Sequence, residues 1–131
     1  HMKIYDNQNK LLSIVIKFDN ISSGKNFITG ESEDFQLASF GLSEGEVIEK
    51  HYHPKQDRNI RHTSEVLVLI EGEMTVKIFD NNQDFVQEIK LTNGDTIGFF
   101  DGGHGIKLNK NCKFIEVKQG PFDEETDKIR F

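Results

Sequence analysis

The chain has 131 residues, a formal net charge of −6 and one cysteine. This length supports a single domain with its own hydrophobic core and no disulfide bridge. The acidic balance, and the lack of a basic stripe with interleaved aromatic residues, argue against a nucleic acid or an anionic membrane as the partner. The lone Cys112 and the lack of a signal peptide predict a cytoplasmic protein.

His1 and Met2 are interpreted as the remnant of an expression tag and the starting methionine, so that residues 3–131 form one domain. Two prolines, eleven glycines and no long stretch of helical periodicity predict an all-β chain. The predicted strands, in chain order, cover residues 11–18, 35–42, 47–53, 65–70, 74–79, 85–91, 96–100, 106–108 and 114–117. Short strands separated by turns at this spacing are typical of a sandwich or barrel.

The two ends of the chain lie outside the predicted barrel core, which spans about residues 35–117. Residues 11–18 are apolar and β-branched, too few to span a bilayer, and we expect them at a sheet edge or a dimer contact. Residues 20–30 are polar and glycine-rich and predict a loop. The tail, residues 118–131, has two interpretations: it folds back over the barrel mouth, or it forms a terminal strand with a docked phenylalanine, which we favour.

Histidines are the main functional signal, because His51, His53 and His62 fall within twelve residues and His104 stands in a glycine-rich turn. On a strand, His51 and His53 project from the same face. Glu65 opens the next strand. Imidazole and carboxylate ligands from separate strands suit a divalent metal ion with open coordination positions.

The spacing of these residues resembles the first motif of the cupin superfamily, a group of small jelly-roll barrels. Gly45 is followed by five residues and then His51-x-His53, and Glu65 is followed by six residues and then Gly72. The gap between the two halves is eleven residues, where the family pattern has three or four.

The second cupin motif is matched less closely. Gly94 and Asp95 fit its start, Phe100 stands in place of the motif's proline, and His104 arrives one residue early. The resemblance covers about residues 35–117 and implies a single-domain jelly-roll β-barrel.

The resemblance also implies that His51, His53, Glu65 and His104 hold a divalent metal ion such as iron, manganese, zinc or nickel. Other interpretations stay open for each residue: a chance surface cluster for the histidines, a strand-edge carboxylate for Glu65, and a turn histidine bonded to backbone for His104. Asp57 is a weaker alternative ligand, because Glu65 alone keeps the register with Gly72.

Three further residues are candidates for catalysis. His62 could transfer protons or replace His104 as a ligand, or it is a solvated loop residue. Arg58 and Arg61 carry planar guanidinium groups that suit a carboxylate or phosphate, although they could equally form surface ion pairs with the acidic tail.

We therefore expect a metal-dependent enzyme acting on a small anionic or oxygen-rich molecule, such as a sugar or keto acid, by isomerisation, epimerisation or oxygenation. The alternatives are a non-catalytic metal-assisted binding protein, accessory to a sugar or polysaccharide pathway by family analogy, and a jelly roll without metal. Small cupins commonly pair, so the resemblance also implies a homodimer.

Overall fold

The computed structural model describes residues 1–131 as a chain of ten strands and one short 3-10 helix. The strands are β1 (Met2–Tyr5), β2 (Leu11–Ile16), β3 (Gly24–Phe27), β4 (Ala38–Gly41), β5 (Glu65–Glu71), β6 (Glu73–Phe79), β7 (Phe85–Thr92), β8 (Thr96–Phe99), β9 (Gly103–Leu108) and β10 (Lys113–Lys118). The 3-10 helix covers Phe18–Asn20. No helix is long and apolar enough to cross a membrane.

The strands form three antiparallel sheets rather than a closed barrel. The largest has the order β1-β2-β8-β5-β10, the second has the order β7-β6-β9, and β3 pairs only with β4. The all-β prediction is confirmed, and the closed barrel is not found.

The hydrophobic core lies between the five-stranded and three-stranded sheets. On β6 and β7 its members alternate with more exposed residues, as a half-buried sheet requires, whereas β2 and β8 are buried almost throughout. The fully buried side chains of this cluster include Leu12, Leu67, Leu69, Met74, Val76, Ile78, Leu91 and Ile97. Residues from both sheets therefore share one interior.

Strand β2 lies inside the larger sheet, between β1 and β8. Ile14 and Ile16 pack in a second cluster with Ile28 and Phe100, while Leu12 belongs to the main core. A strand buried on both faces reads as a continuous apolar run. The prediction that this segment lies at a sheet edge is therefore wrong, and the dimer contact stays a prediction.

Several predicted elements differ from the observed ones. The predicted loop over residues 20–30 contains β3, which pairs with the shortened β4. Residues 47–53 form no strand, since no neighbouring strand supplies hydrogen bonds to them. His104 lies within β9 instead of in a turn. No strand follows Lys118, so the terminal strand that we favoured for the tail is wrong.

Candidate functional site

Glu65 and His104 meet between the two packed sheets. Glu65 opens β5 and His104 is the second residue of β9, with its Nε2 3.6 Å from Glu65 Oε2. Phe99 lies on β8, where it pairs with Glu65 of β5, and its ring stacks on the imidazole of His104 with centroids 3.7 Å apart. The stacking fixes the plane of the His104 ring beside the carboxyl group.

The protonation of this pair is set mainly by burial, which disfavours the charged forms. Burial, and then a hydrogen bond and charge repulsion from Glu116, raise the pKa of Glu65 to about 7. Burial, and then the charge of Lys128, lower the pKa of His104. Near neutral pH the imidazole of His104 is thus largely neutral, and the carboxyl group of Glu65 is protonated in roughly half of the molecules. The contact is therefore not a simple ion pair.

A cavity of about 940 Å³ opens beside Glu65 and His104. Its walls come from β5, β6, β9, β10 and the tail. The charged or titratable side chains in the lining are Glu65, Lys77, His104, Glu116, Lys118, Asp127, Lys128 and Arg130. With every acid ionised and His104 neutral, four cations face three anions, and the balance becomes more positive when Glu65 is protonated.

Three of these cations are free of acidic partners. Lys118 Nζ lies 3.2 Å from Asp127 Oδ2, but Lys77, Lys128 and Arg130 form no salt bridge. Unpaired ammonium and guanidinium groups around a cavity favour an anion.

The C-terminal tail closes one side of the cavity. The ring of Phe131 meets that of Phe79 edge-on, with centroids 5.2 Å apart, and lies against Gly103. The Lys118–Asp127 ion pair fastens the tail to β10. The docked phenylalanine is confirmed, but the tail reaches it by folding over the cavity.

The other two predicted ligands lie elsewhere, in a segment that we call the arm, residues 42–62. The His51 and His53 rings are close to each other, with centroids 5.2 Å apart, and His51 Nδ1 lies 2.8 Å from the carbonyl oxygen of Glu49. Both histidines are exposed and neither lines the cavity.

The four predicted ligands therefore form two pairs. No group of three or more His, Cys, Asp or Glu side chains is placed to hold a metal ion. Glu65 and His104 fit one ion, because two ligands each about 2.1 Å from a metal lie roughly 3.0–3.4 Å apart, close to the observed separation. His51 and His53 do not complete that site within this single chain.

The predicted catalytic residues also lie in the arm. Arg58, Arg61 and His62 are exposed, and none of them lines the cavity or joins an ion pair. Asp57 is exposed as well. The geometry of the cavity therefore does not test their predicted roles in catalysis and metal binding, which stay predictions.

The sequence reasoning missed Glu116 and the cationic lining. The alternation of Glu116 and Lys118 with Ile115 and Val117 indicated only that the two charged residues share a face. It is the observed pairing of Lys118 with Glu65 and of Glu116 with Leu67 that places this face beside Glu65. Residues two apart on a strand share a face, so Glu116 and Lys118 both point towards the Glu65 side.

Comparison of the chain with protein-family models, with curated proteins and with solved structures found no match.

Proposed function

We propose that this protein is a cytoplasmic jelly-roll protein of the cupin type that binds a divalent metal ion together with a small anionic, oxygen-rich molecule. The observation that carries the proposal is the Glu65–His104 pair on the wall of a cavity with three unpaired cations. The metal would stand beside this pair, and the anion would occupy the rest of the cavity.

The strand order supports the jelly-roll part of the proposal. From β5 onwards the chain passes from the larger sheet to the β6–β7 hairpin, back to β8, across to β9 and back again to β10. Repeated crossing between two packed antiparallel sheets is typical of double-sheet jelly rolls.

The donor types support the metal part. An imidazole with a carboxylate suits iron, manganese, zinc or nickel, and a bound dication would supply Lewis acidity or redox chemistry. The proposed ligands are Glu65 and His104 in the cavity wall, and His51 and His53 would join them only if the arm were brought to the cavity.

Catalysis is the second candidate, favoured by the shifted protonation of the cavity wall. Where no metal ion is bound to Glu65, its pKa of about 7 lets it accept or donate a proton near neutral pH. Shifted groups of this kind cluster at active sites. A substrate with a proton next to a carbonyl group could be isomerised or epimerised by such a residue, with Lys128 and Arg130 holding its anionic end.

Elemental analysis of protein purified without chelator tests the metal proposal. We expect one metal ion per chain in the wild type, and loss of that metal in Glu65→Ala and His104→Ala. Glu71→Ala is the matched control, since Glu71 ends the same strand and is exposed. If the wild type contains no metal and binds none after incubation with Fe²⁺, Mn²⁺, Zn²⁺ and Ni²⁺, the metal proposal is wrong and the protein is a jelly roll without metal.

Oxalate, a small dianion, tests the anion proposal by isothermal titration calorimetry. Lys128→Ala combined with Arg130→Ala should weaken oxalate binding about tenfold or more, because each charge-assisted hydrogen bond contributes roughly 1.5–3 kcal/mol. Lys25→Ala is the control, on β3 and outside the cavity lining. Equal oxalate affinity in all three proteins would contradict the assignment of this cavity.

A further inference from the structure

The arm has no partner within its own chain. Every residue from 42 to 59 is exposed, and all hydrogen bonds of residues 42–62 stay within the arm. Val47 is 83% exposed and Tyr52 is 85% exposed. Large apolar side chains left in water over a segment this long mark an interaction surface.

Two of the open sheet edges of the same molecule lie beside the cavity. Strand β9 pairs only with β6, and β10 pairs only with β5. Apolar side chains on these two strands are also exposed, namely Ile106, Leu108, Phe114, Ile115 and Val117. An unpaired edge with apolar side chains is a template for another strand.

The arm matches the open edge of β9 in length and pattern. Residues 47–53 alternate, with His51 and His53 on one face and Tyr52 on the other, and β9 has six residues, Gly103–Leu108. His104 of β9 points into the interior, where it stacks on Phe99. A strand laid beside β9 with its histidine face inward would bring those imidazoles towards His104.

We propose that the arm of one molecule pairs with the β9 edge of a second copy of this chain, and that the exchange is reciprocal. Each metal site then consists of His51 and His53 from one copy with Glu65 and His104 from the other. This part of the inference rests on the proposed metal-binding function.

The partner of the β9 edge is a second copy of this chain, because every molecule carries both the free arm and the open β9 edge. No hydrogen bond joins the arm to the rest of its own chain. Reciprocal exchange of one segment closes a two-fold dimer in which both arms and both β9 edges are used. The arm's exposed apolar residues and the body's exposed apolar strands become buried by the same event.

The first experiment is complementation in a heterodimer. Variant A carries His51→Ala and His53→Ala, and variant B carries Glu65→Ala and His104→Ala. They are co-expressed with two different affinity tags, and the heterodimer is purified through both. Co²⁺ binding is then measured by equilibrium dialysis.

The exchanged arrangement predicts a specific stoichiometry. The intact arm of variant B meets the intact wall of variant A, so the heterodimer should bind one Co²⁺, against two for a wild-type dimer and none for a dimer of either variant alone. No Co²⁺ in the heterodimer, with two in the wild type, would overturn the inference and leave the metal site within one chain.

The second experiment needs no metal. Lys50→Pro removes a backbone donor in the middle of the pairing segment, residues 47–53. Gln56→Pro is the control, because it introduces a proline later in the arm, outside that segment. We expect by light scattering a dimeric wild type, a dimeric Gln56→Pro protein and a monomeric Lys50→Pro protein. A monomeric wild type, or a dimeric Lys50→Pro protein, would overturn the exchange.

Co²⁺ binding and light scattering together distinguish failure of the proposed metal-binding function from failure of the arm exchange. If the wild type binds no Co²⁺ and Lys50→Pro still converts its dimer to a monomer, the metal site is refuted while the arm exchange stands.

Discussion

The ring of Phe99 lies parallel to the imidazole of His104, with an angle of 8° between the two planes. Phe99 is 5% exposed and belongs to the main core. His104 is thus held by a residue whose own position is fixed by packing.

Phe99→Leu should loosen His104 without opening the fold. We expect a loss of about 1–3 kcal/mol in the free energy of unfolding, from reduced burial and the lost ring contact, measured by urea denaturation. The pKa of His104 should rise towards its ordinary value as water reaches the ring, which NMR titration would show. An unchanged His104 titration would mean that Phe99 does not shield the imidazole.

Glu65→Gln should change how stability depends on pH in metal-free protein. The folded-state pKa of Glu65 is raised to about 7 from 4.5, so its contribution is fully present below about pH 4.5 and is lost as pH rises through 7. The glutamine variant does not titrate. Its stability relative to wild type should therefore increase between pH 4.5 and 7, by at most about 3 kcal/mol.

Urea unfolding at several pH values measures this difference. Glu88→Gln, on the exposed part of β7, is the control and should follow the wild type. A constant gap between Glu65→Gln and wild type across this range would contradict the raised pKa.

Asp95→Asn should have the opposite pH dependence. The Asp95 carboxylate accepts hydrogen bonds from the backbone N–H groups of Thr92 and Phe18 and pairs with Lys17 at 3.0 Å. Burial acts to raise the pKa of Asp95, but these bonds outweigh it and the pKa is lowered.

A lowered pKa contributes stability above the unfolded value near 4, which is lost as pH falls through the folded value. Asp95→Asn should therefore cost about 1–3 kcal/mol at pH 7, and the deficit should shrink below about pH 4 because the wild type then protonates. Asp19→Asn, an exposed neighbour, should show no such pH-dependent deficit. Thermal unfolding from pH 2 to 7 measures both.

Phe131→Ala should release the tail from the cavity. Phe131 meets Phe79, whereas its near neighbour Ile129 is 88% exposed. We expect faster hydrogen exchange and faster proteolysis in residues 120–131 for Phe131→Ala, with a loss of global stability below about 1.5 kcal/mol. Ile129→Ala should behave as wild type. Equal proteolysis of all three proteins would refute the role of Phe131.

Two glycines of the cupin-like motif should respond differently to alanine. Gly72 and Gly45 both have positive φ angles, 117° and 86°, which disfavour a side chain. A Cβ on Gly72 would collide with the backbone of Asn111 and Cys112, while nothing lies near a Cβ on Gly45. Gly45→Ala should cost roughly 1 kcal/mol, and Gly72→Ala at least about 1–3 kcal/mol more, as urea unfolding would measure. Equal costs would contradict the close approach at Gly72.

The sequence pattern predicted β5 to β8 well, because alternating apolar residues bounded by turns describe a half-buried hairpin directly. It failed at residues 47–53, since alternation records which side chains share a face and not whether a neighbouring strand exists. The motif spacing identified Glu65 and His104, which the fold brings together. It could not identify Glu116, whose effect on Glu65 depends on the pairing of β10 with β5.

The three unpaired cations of the cavity stand on a molecule with a net charge of −6. Beside the cavity, Lys77, Lys128 and Arg130 oppose the overall negative field of the molecule. A local positive field of this kind would raise the rate at which a diffusing anion is captured there. Since dissolved ions screen charges over about 8–10 Å near physiological ionic strength, that capture rate falls as salt is added, whereas a neutral molecule of the same size enters at a rate insensitive to salt.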